Sequence, residues 1–335
     1  LVGYKGGVTT HEVRAEYTHV ERFAAGSQAS IDYLQEHGYV VIAEALDPEQ
    51  VDRSIELTWK YLEELGTGID RHDSSTWHDD RWPVAVHGGI IPGQGIGHSE
   101  AQWFIRSSPA IKQAFAAVWD DDDLLVSFDG MALWRPTSVD ENWQTTRGGS
   151  WLHIDQHPIG RPGFHCVQGL VSLLATTPAT GGNVVVPGSH RLFEHIPDRY
   201  TDRLARIDSS IDHFRFPSDD PQLADTPPIM CHLEAGDMML WDSRTIHCST
   251  PGDGSSASDS LIRAVSLICM MPKARSNPEV IAQRRAALQN RTSTTNWSDR
   301  FINADRFPQV MAADQSKYTL PPVPTLTPEL DALVG

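Results

Sequence analysis

The segment Trp151-Leu152-His153-Ile154-Asp155 sets an imidazole and a carboxylate two positions apart. On a strand, alternate side chains share a face. His153 and Asp155 therefore point the same way and offer two ligand atoms at one corner of a metal ion, while Leu152 and Ile154 are expected to point into the packing between sheets. A third ligand has to come from a distant strand. Asp242-Ser243-Arg244-Thr245-Ile246-His247 offers His247 just beyond the apolar run DMMLW. Two imidazoles and one carboxylate on one face of an octahedron leave three positions open, the arrangement of non-haem Fe(II) oxygenases.

H-x-D alone is a weak signal, and its neighbours give it weight. GGNVVVPGSH (181–190) is a glycine-led strand closed by a Pro-Gly turn, and Gly236-Asp237 opens the strand that delivers His247. Arg263 begins the next strand, where its guanidinium fork could grip a dicarboxylate end-on. Between His247 and Arg263 the chain includes PGDGSSASDS, and Arg244 and Arg275 are the alternative arginines for that role.

These residues need a scaffold. A helix is expected near Ser30–His37, stopped by Gly38 and followed by the β-branched run Tyr39–Ile42. Asp47-Pro48 then reads as an N-cap with proline in the first turn, and Val51, Ile55, Trp59, Leu62 and Leu65 recur at helical spacing. Ser108-Pro109 repeats the start signal, with Ile111, Phe115 and Val118 on one face. From Asp123 the texture changes to short β-rich runs: LLVSF (124–128), MALWR (131–135), WLHI (151–154), VQGLVSLLA (167–175), NVVVP (183–187), DMMLW (237–241) and IRAVSLICMM (262–271). Many short strands at modest spacing indicate a sandwich or jelly roll. A helix around Pro278–Gln289 and a polar, proline-rich tail complete the chain. The expected fold is mainly β with flanking helices. Its parts are an N-terminal helical and lid region (1–122) packed on the core, a catalytic β core (123–275), and a C-terminal helix and tail (276–335), all in one catalytic domain.

Composition narrows the partners. The 335 residues carry 27 Lys+Arg against 44 Asp+Glu, a net charge of −17. That balance disfavours nucleic acid and anionic membrane surfaces, which reward clustered cations. No run approaches the ~18–20 apolar residues of a membrane span, and residues 1–19 lack the apolar core of a signal peptide. Four cysteines without a C-x-x-C pair suit a reducing, cytoplasmic setting better than a disulfide framework. Nucleic acid and membrane are therefore not expected as partners; oligomeric state is not legible.

The motifs LWRP (133–136), the HID triplet, GGNVVVPGSH and GDMMLWDSRTIH, with the GYVVI segment and the DPEQV helix before them, resemble the phytanoyl-CoA dioxygenase-like family of Fe(II)/2-oxoglutarate-dependent oxygenases. The resemblance implies a double-stranded β-helix (jelly roll, cupin-like) with the metal at its mouth. His153, Asp155 and His247 match the facial triad, and Arg263 matches the arginine that pairs with the distal carboxylate of 2-oxoglutarate. It also implies a reaction in which Fe(II), 2-oxoglutarate and O2 oxidise a small organic molecule, with succinate and CO2 as co-products. Since Asp155 keeps the carboxylate ligand, hydroxylation or a related oxidation is expected rather than halogenation. The alternatives are a cupin-type oxygenase that works without 2-oxoglutarate and a non-catalytic metal- or ligand-binding sensor.

Other residues are candidates by position. Gln168 could hold 2-oxoglutarate, and Gln156 and His157 could line a pocket just past the triad. Trp103 and Arg106 follow the glycine-rich stretch 88–99 and could face substrate, Arg106 through a carboxylate. Trp134 carries the same expectation. Each has a plain structural alternative: a core Trp, a solvated Arg, a turn residue. The stretch Gly93-Gln94-Gly95-Ile96-Gly97 lacks the spacing and strand–helix context of a dinucleotide loop and reads instead as a flexible lid over the mouth of the β core.

Overall fold

The computed structural model describes residues 15–143, 151–217, 220, 223, 226–252, 260–304 and 307–335. Most of PGDGSSASDS lies outside these residues, as does the start of the chain.

Two mixed sheets carry the architecture. One runs in the order β1 (Glu16–Thr18), β11 (Ile229–Cys231), β9 (Gly181–Val185), β13 (His247–Pro251), β7 (His153–Asp155) and β10 (His213–Arg215). The other runs β2 (Arg22–Phe23), β3 (Tyr39–Ile42), β12 (Met238–Asp242), β8 (Val167–Ser172), β14 (Arg263–Leu267), β6 (Met131–Trp134) and β4 (Ile90–Ile91). Along the chain β6, β7, β8 and β9 alternate between the sheets, and β11, β12, β13 and β14 do so again. This winding is that of a jelly roll or double-stranded β-helix. The sheets stay open: β1 and β2 add in parallel at their margins, and β3 extends the larger sheet beside β12. The run 262–271 is two strands rather than one, because after β14 the chain leaves the sheet and β15 (Met270–Pro272) pairs with β5 (Leu124–Val126).

Three apolar layers follow from strand alternation. Between the sheets lie Val41, Trp134, Leu170, Val185, Met239, Trp241 and Val265. Outside the larger sheet, helices α1 (Gln28–His37), α2 (Pro48–Glu64), α3 (Glu100–Arg106) and α4 (Pro109–Trp119) surround a core that includes Leu133, Val171, Leu240 and Ala264 from the sheet. Asp47 caps α2 reciprocally: its carboxylate accepts from the Gln50 N–H at 2.8 Å and its own N–H donates to Gln50 Oε1 at 3.0 Å. Outside the smaller sheet, Leu152 and Ile154 pack with Phe193, Ile196, Phe214 and Phe216. This reverses the expected direction of Leu152 and Ile154. A short helical segment after β9 covers that outer face, so the apolar side of β7 looks outward and its polar side faces the interior.

The tail is structural. Buried Arg284, on the helix Pro278–Asn290, donates to the carbonyls of Val126 at 2.7 Å, Ser298 at 2.9 Å and Val334 at 2.9 Å. One guanidinium thereby fastens the C-terminal segment to β5, satisfying carbonyls that would otherwise be buried without donors. The glycine-rich stretch 88–99 is also fixed, not a free lid. Ile90 and Ile91 form β4, and Gly97 touches the chain so closely that a Cβ there would sit 2.2 Å from the Phe128 carbonyl oxygen. Among the described residues no helix is long and apolar enough to cross a membrane, and the four cysteines are buried and free.

Candidate metal centre and cavity

β7 and β13 are antiparallel neighbours with His247 directly opposite His153. That register, with the two-residue period of β7, brings one ligand atom each from His153, Asp155 and His247 within 4.8 Å of one another. His153 Nε2 lies 3.6 Å from Asp155 Oδ1 and His247 Nε2 lies 3.3 Å from Asp155 Oδ2. The other ring nitrogens are committed: His153 Nδ1–H donates to the Trp151 carbonyl at 2.7 Å and His247 Nδ1–H to the Thr245 carbonyl at 2.9 Å. Carbonyls only accept, so both Nε2 atoms keep free lone pairs aimed at the triad, the outer-shell bracing expected of metal-binding histidines. Burial pulls the His153 imidazole down to about 4, against the pull of Asp155, so it is neutral at neutral pH. Enclosure by protein opposes ionisation of Asp155, but the imidazoles of His153, His213 and His247 hold its carboxyl well below the usual range. A neutral imidazole and an ionised carboxylate are the protonation states a divalent metal requires. By donor type and spacing, the triad fits Fe(II).

Arg263 reaches the space between the sheets from the first position of β14. It is buried; its guanidinium stacks on Trp134 at 4.2 Å and its Nη1 donates to Ser249 Oγ at 2.6 Å. Its Nε has no hydrogen-bond partner among the described residues, and no carboxylate there pairs with it. Burial lowers its pKa to about 9, so at neutral pH it remains a cation with no anionic partner among the described residues. The two alternative arginines sit elsewhere. Arg244 is tied to Asp242 at 2.6 Å, and Arg275 donates to the His165 carbonyl at 2.8 Å.

A cavity of about 490 Å³ opens in front of the triad. His153, Asp155 and Gln168 form its floor, and Gln168 Nε2 donates to Asp155 Oδ2 at 3.2 Å. Its walls come from the edge strand β4 and the chain after it (Ile90 and Pro92), Trp151, the stretch 210–213 leading into the edge strand β10, and Trp297, Ile302 and Phe307 from the tail. His87, Trp151 and His153 stack in series, with ring centroids 4.7 and 5.0 Å apart.

Several positional candidates lie away from this cavity. Trp103 is buried in the helical core, and Arg106 stacks on it at 4.9 Å. Arg106 donates to the Gly97 carbonyl at 2.6 Å and the Asp129 carbonyl at 3.3 Å, so it pins backbone instead of facing a substrate carboxylate. Gln156 is fully buried; its amide donates to the carbonyls of Arg161 at 2.7 Å and Gly163 at 2.5 Å and accepts from Ser243. His157 Nδ1 accepts from the Ile159 and Gly160 N–H groups. Both belong to a turn that folds away as soon as β7 ends. Trp134 touches Arg263 rather than the cavity wall.

Two cavity residues had no motif to announce them. His213 pairs with Asp155 across β10 and β7, and its Nδ1 lies 3.5 Å from Asp155 Oδ1. The alternation His213-Phe214-Arg215-Phe216 is the signal that could have placed it on a strand. Asp129 sits in the turn before β6 with its carboxyl at the cavity wall, and burial pushes that carboxyl up to about 7.

Residues 34–256 match the family model for phytanoyl-CoA dioxygenase (PhyH). The chain belongs to that family. It is therefore a member of an oxygenase family. Among curated relatives, Ava biosynthesis cluster protein O of Aspergillus versicolor is 29% identical over 282 residues, covering 81% of this chain and 86% of the relative. A putative phytanoyl-CoA dioxygenase of Dictyostelium discoideum is 21% identical over 252 residues, covering 65% and 69%. Two solved structures show looser likeness. EctD from S. alaskensis with bound Fe has a TM-score of 0.49 at 12% identity, covering 79% of this chain and 82% of the other. The epimerase SnoN in complex with Fe3+, alpha ketoglutarate and nogalamycin RO has a TM-score of 0.48 at 15% identity, covering 73% and 83%.

Proposed function

We propose that this chain is a non-haem Fe(II)- and 2-oxoglutarate-dependent dioxygenase that hydroxylates or otherwise oxidises a small organic molecule, releasing succinate and CO2. The observation that carries this reading is the convergence of His153, Asp155 and His247 within 4.8 Å, with His153 and Asp155 lining a cavity and a buried arginine that has no carboxylate partner among the described residues. Iron with 2-oxoglutarate and O2 supplies, when bound, the power to break a substrate C–H bond. The chain's own groups do the rest. His153, Asp155 and His247 hold the metal on one face. Gln168 fixes one Asp155 oxygen. Arg263, stacked on Trp134 and braced by Ser249, offers its fork to the distal carboxylate of 2-oxoglutarate. Trp151 and Trp297 wall the cavity against water.

The test is anaerobic titration of the Fe(II)-loaded protein with 2-oxoglutarate. The expected result is the visible charge-transfer band of the metal–keto acid pair, followed by succinate release when oxygen is admitted with substrate. Fully iron-loaded protein without that band would overturn the proposal in favour of an oxygenase that does not use 2-oxoglutarate. A band with no succinate across a broad substrate panel would favour a sensor.

A further inference from the structure

Three carboxylates line the cavity: Asp129, Asp155 and Asp212. Two of them are committed. Asp155 is surrounded by the imidazoles of His153, His213 and His247. Asp212 Oδ1 accepts from Arg161 Nε at 2.5 Å. Asp129 differs. One of its oxygens accepts from the Gly130 N–H at 2.8 Å, and no cation lies within ion-pair distance of it among the described residues.

Its backbone is held from behind. Gln102 Nε2 donates to the carbonyls of Asp129 at 2.9 Å and Gly130 at 2.7 Å, and Arg106 donates to the Asp129 carbonyl. Gly130 itself abuts the Ile91 carbonyl, where a Cβ would come within 2.0 Å. The carboxylate is thus presented from a rigid turn, the placement expected of a recognition group. No Lys or Arg is among the cavity's described lining residues, and the facing walls are aromatic and aliphatic: Trp151, Trp297, Ile211, Ile302 and Phe307. Among the described lining residues an anionic substrate would meet three acids and neutral polar groups but no cationic Lys or Arg side chain. A cation would relieve a half-buried carboxylate that feels Arg106 from behind but forms no ion pair among the described residues.

We infer that Asp129 anchors a cationic nitrogen of the substrate, an ammonium or guanidinium group, whose apolar body lies against Trp151 and Trp297. The inference rests on the reading of this cavity as the substrate site. It adds the substrate's charge and the residue that recognises it.

Matched probes of one shape and three charges test it: benzylamine, benzyl alcohol and benzoate, titrated calorimetrically into anaerobic Fe(II)- and 2-oxoglutarate-loaded protein. Benzylamine is expected to bind about tenfold or more tightly than benzyl alcohol, the gain of one charge-assisted hydrogen bond, with benzoate weakest. Asp129→Asn, which keeps the shape and the Gly130 contact, should bring benzylamine to within about threefold of the alcohol and leave alcohol binding and the charge-transfer band unchanged. Equal binding of amine and alcohol by the unmodified protein overturns the inference, as does an amine preference that survives Asp129→Asn. Equal binding by the unmodified protein refutes the inference without any variant, and where Asp129→Asn folds poorly Asp129→Ser gives a second removal of the charge. Absence of the charge-transfer band refutes the co-substrate reading alone, since the probe ordering can still be read on the same protein loaded with Zn(II).

Discussion

Replacing Arg263 with methionine should raise the stability of the ligand-free protein while removing its affinity for 2-oxoglutarate. The guanidinium is 3% exposed, with one hydrogen bond to Ser249, an aromatic face against Trp134, an unpartnered Nε and no carboxylate partner among the described residues. Burial lowers its pKa to about 9. For a base, a lowered folded-state pKa means that the charged form is disfavoured on folding. The cost is complete below about pH 9 and vanishes only above the unfolded value. Holding the charge in a buried site costs a few kcal/mol. Methionine matches the stem in volume and stacks on Trp134, so Arg263→Met should recover about 1–2 kcal/mol at pH 7.5, a rise of a few degrees in Tm. In the complex the balance inverts. Two charge-assisted hydrogen bonds at about 1.5–3 kcal/mol each amount to roughly a hundredfold loss in 2-oxoglutarate affinity or more. The assay pairs thermal melts, with and without 2-oxoglutarate, with anaerobic titration of the charge-transfer band. Pyruvate, which lacks the distal carboxylate, should bind both proteins alike. The reasoning fails if the variant's 2-oxoglutarate Kd stays within about threefold of the parent's, or if the ligand-free variant melts lower.

Four further outcomes are expected. His247→Ala should abolish iron retention and turnover with the circular dichroism spectrum unchanged; near-normal activity would mean the third ligand is another residue. Gln168→Leu frees one Asp155 oxygen and should weaken Fe(II) binding about 10–100-fold by competition with a chelator, the usual cost of losing an outer-shell partner. Asp129→Asn should stabilise the ligand-free protein in a pH-dependent way. A folded-state carboxyl pKa of about 7, above the unfolded value, means that ionisation costs stability progressively as pH rises from about 4 to 7. The variant's advantage should thus be near zero at pH 4 and on the order of 2 kcal/mol above pH 7 by chemical denaturation; a constant advantage across that range would refute the assignment. Gly97→Ala drives a methyl group into the Phe128 carbonyl and should cost about 2 kcal/mol or more, whereas a free lid would tolerate it.

The triad was legible because strand periodicity is short-range. His153 and Asp155 share a face by alternation alone, and the turn after DMMLW ends at the strand that carries His247. Helix starts at Asp47-Pro48 and Ser108-Pro109 were legible for the same local reason. What surrounds the triad depends on long-range packing. Alternation could not say which face of β7 looks inward, and Leu152 and Ile154 turned out to face a covering segment after β9. Glycine marks both mobile and tightly packed backbone, so the 88–99 stretch read as a lid when Gly97 is there for close approach. Trp103 and Arg106 share a helix face that serves the core. Asp129, in Phe-Asp-Gly, looks like any turn aspartate until Gln102 and Arg106 are seen holding its carbonyl. The tail's contribution of Trp297 and Phe307 had no local signature at all.

The proposed metal ligands and the cavity walls rest on different mechanics. His153, Asp155 and His247 belong to laddered strands, whereas Ile90, Ile211, Trp297 and Phe307 come from segments remote in the chain and outside that ladder's central rows. On the proposed function, substrate choice can therefore drift without disturbing the chemistry. Laboratory selection for activity on a new molecule should collect its changes at residues 86–92, 210–213 and 295–307 and leave the three ligands untouched. One scaffold of this kind is suited to diversify into many oxidations by rewriting only its rim.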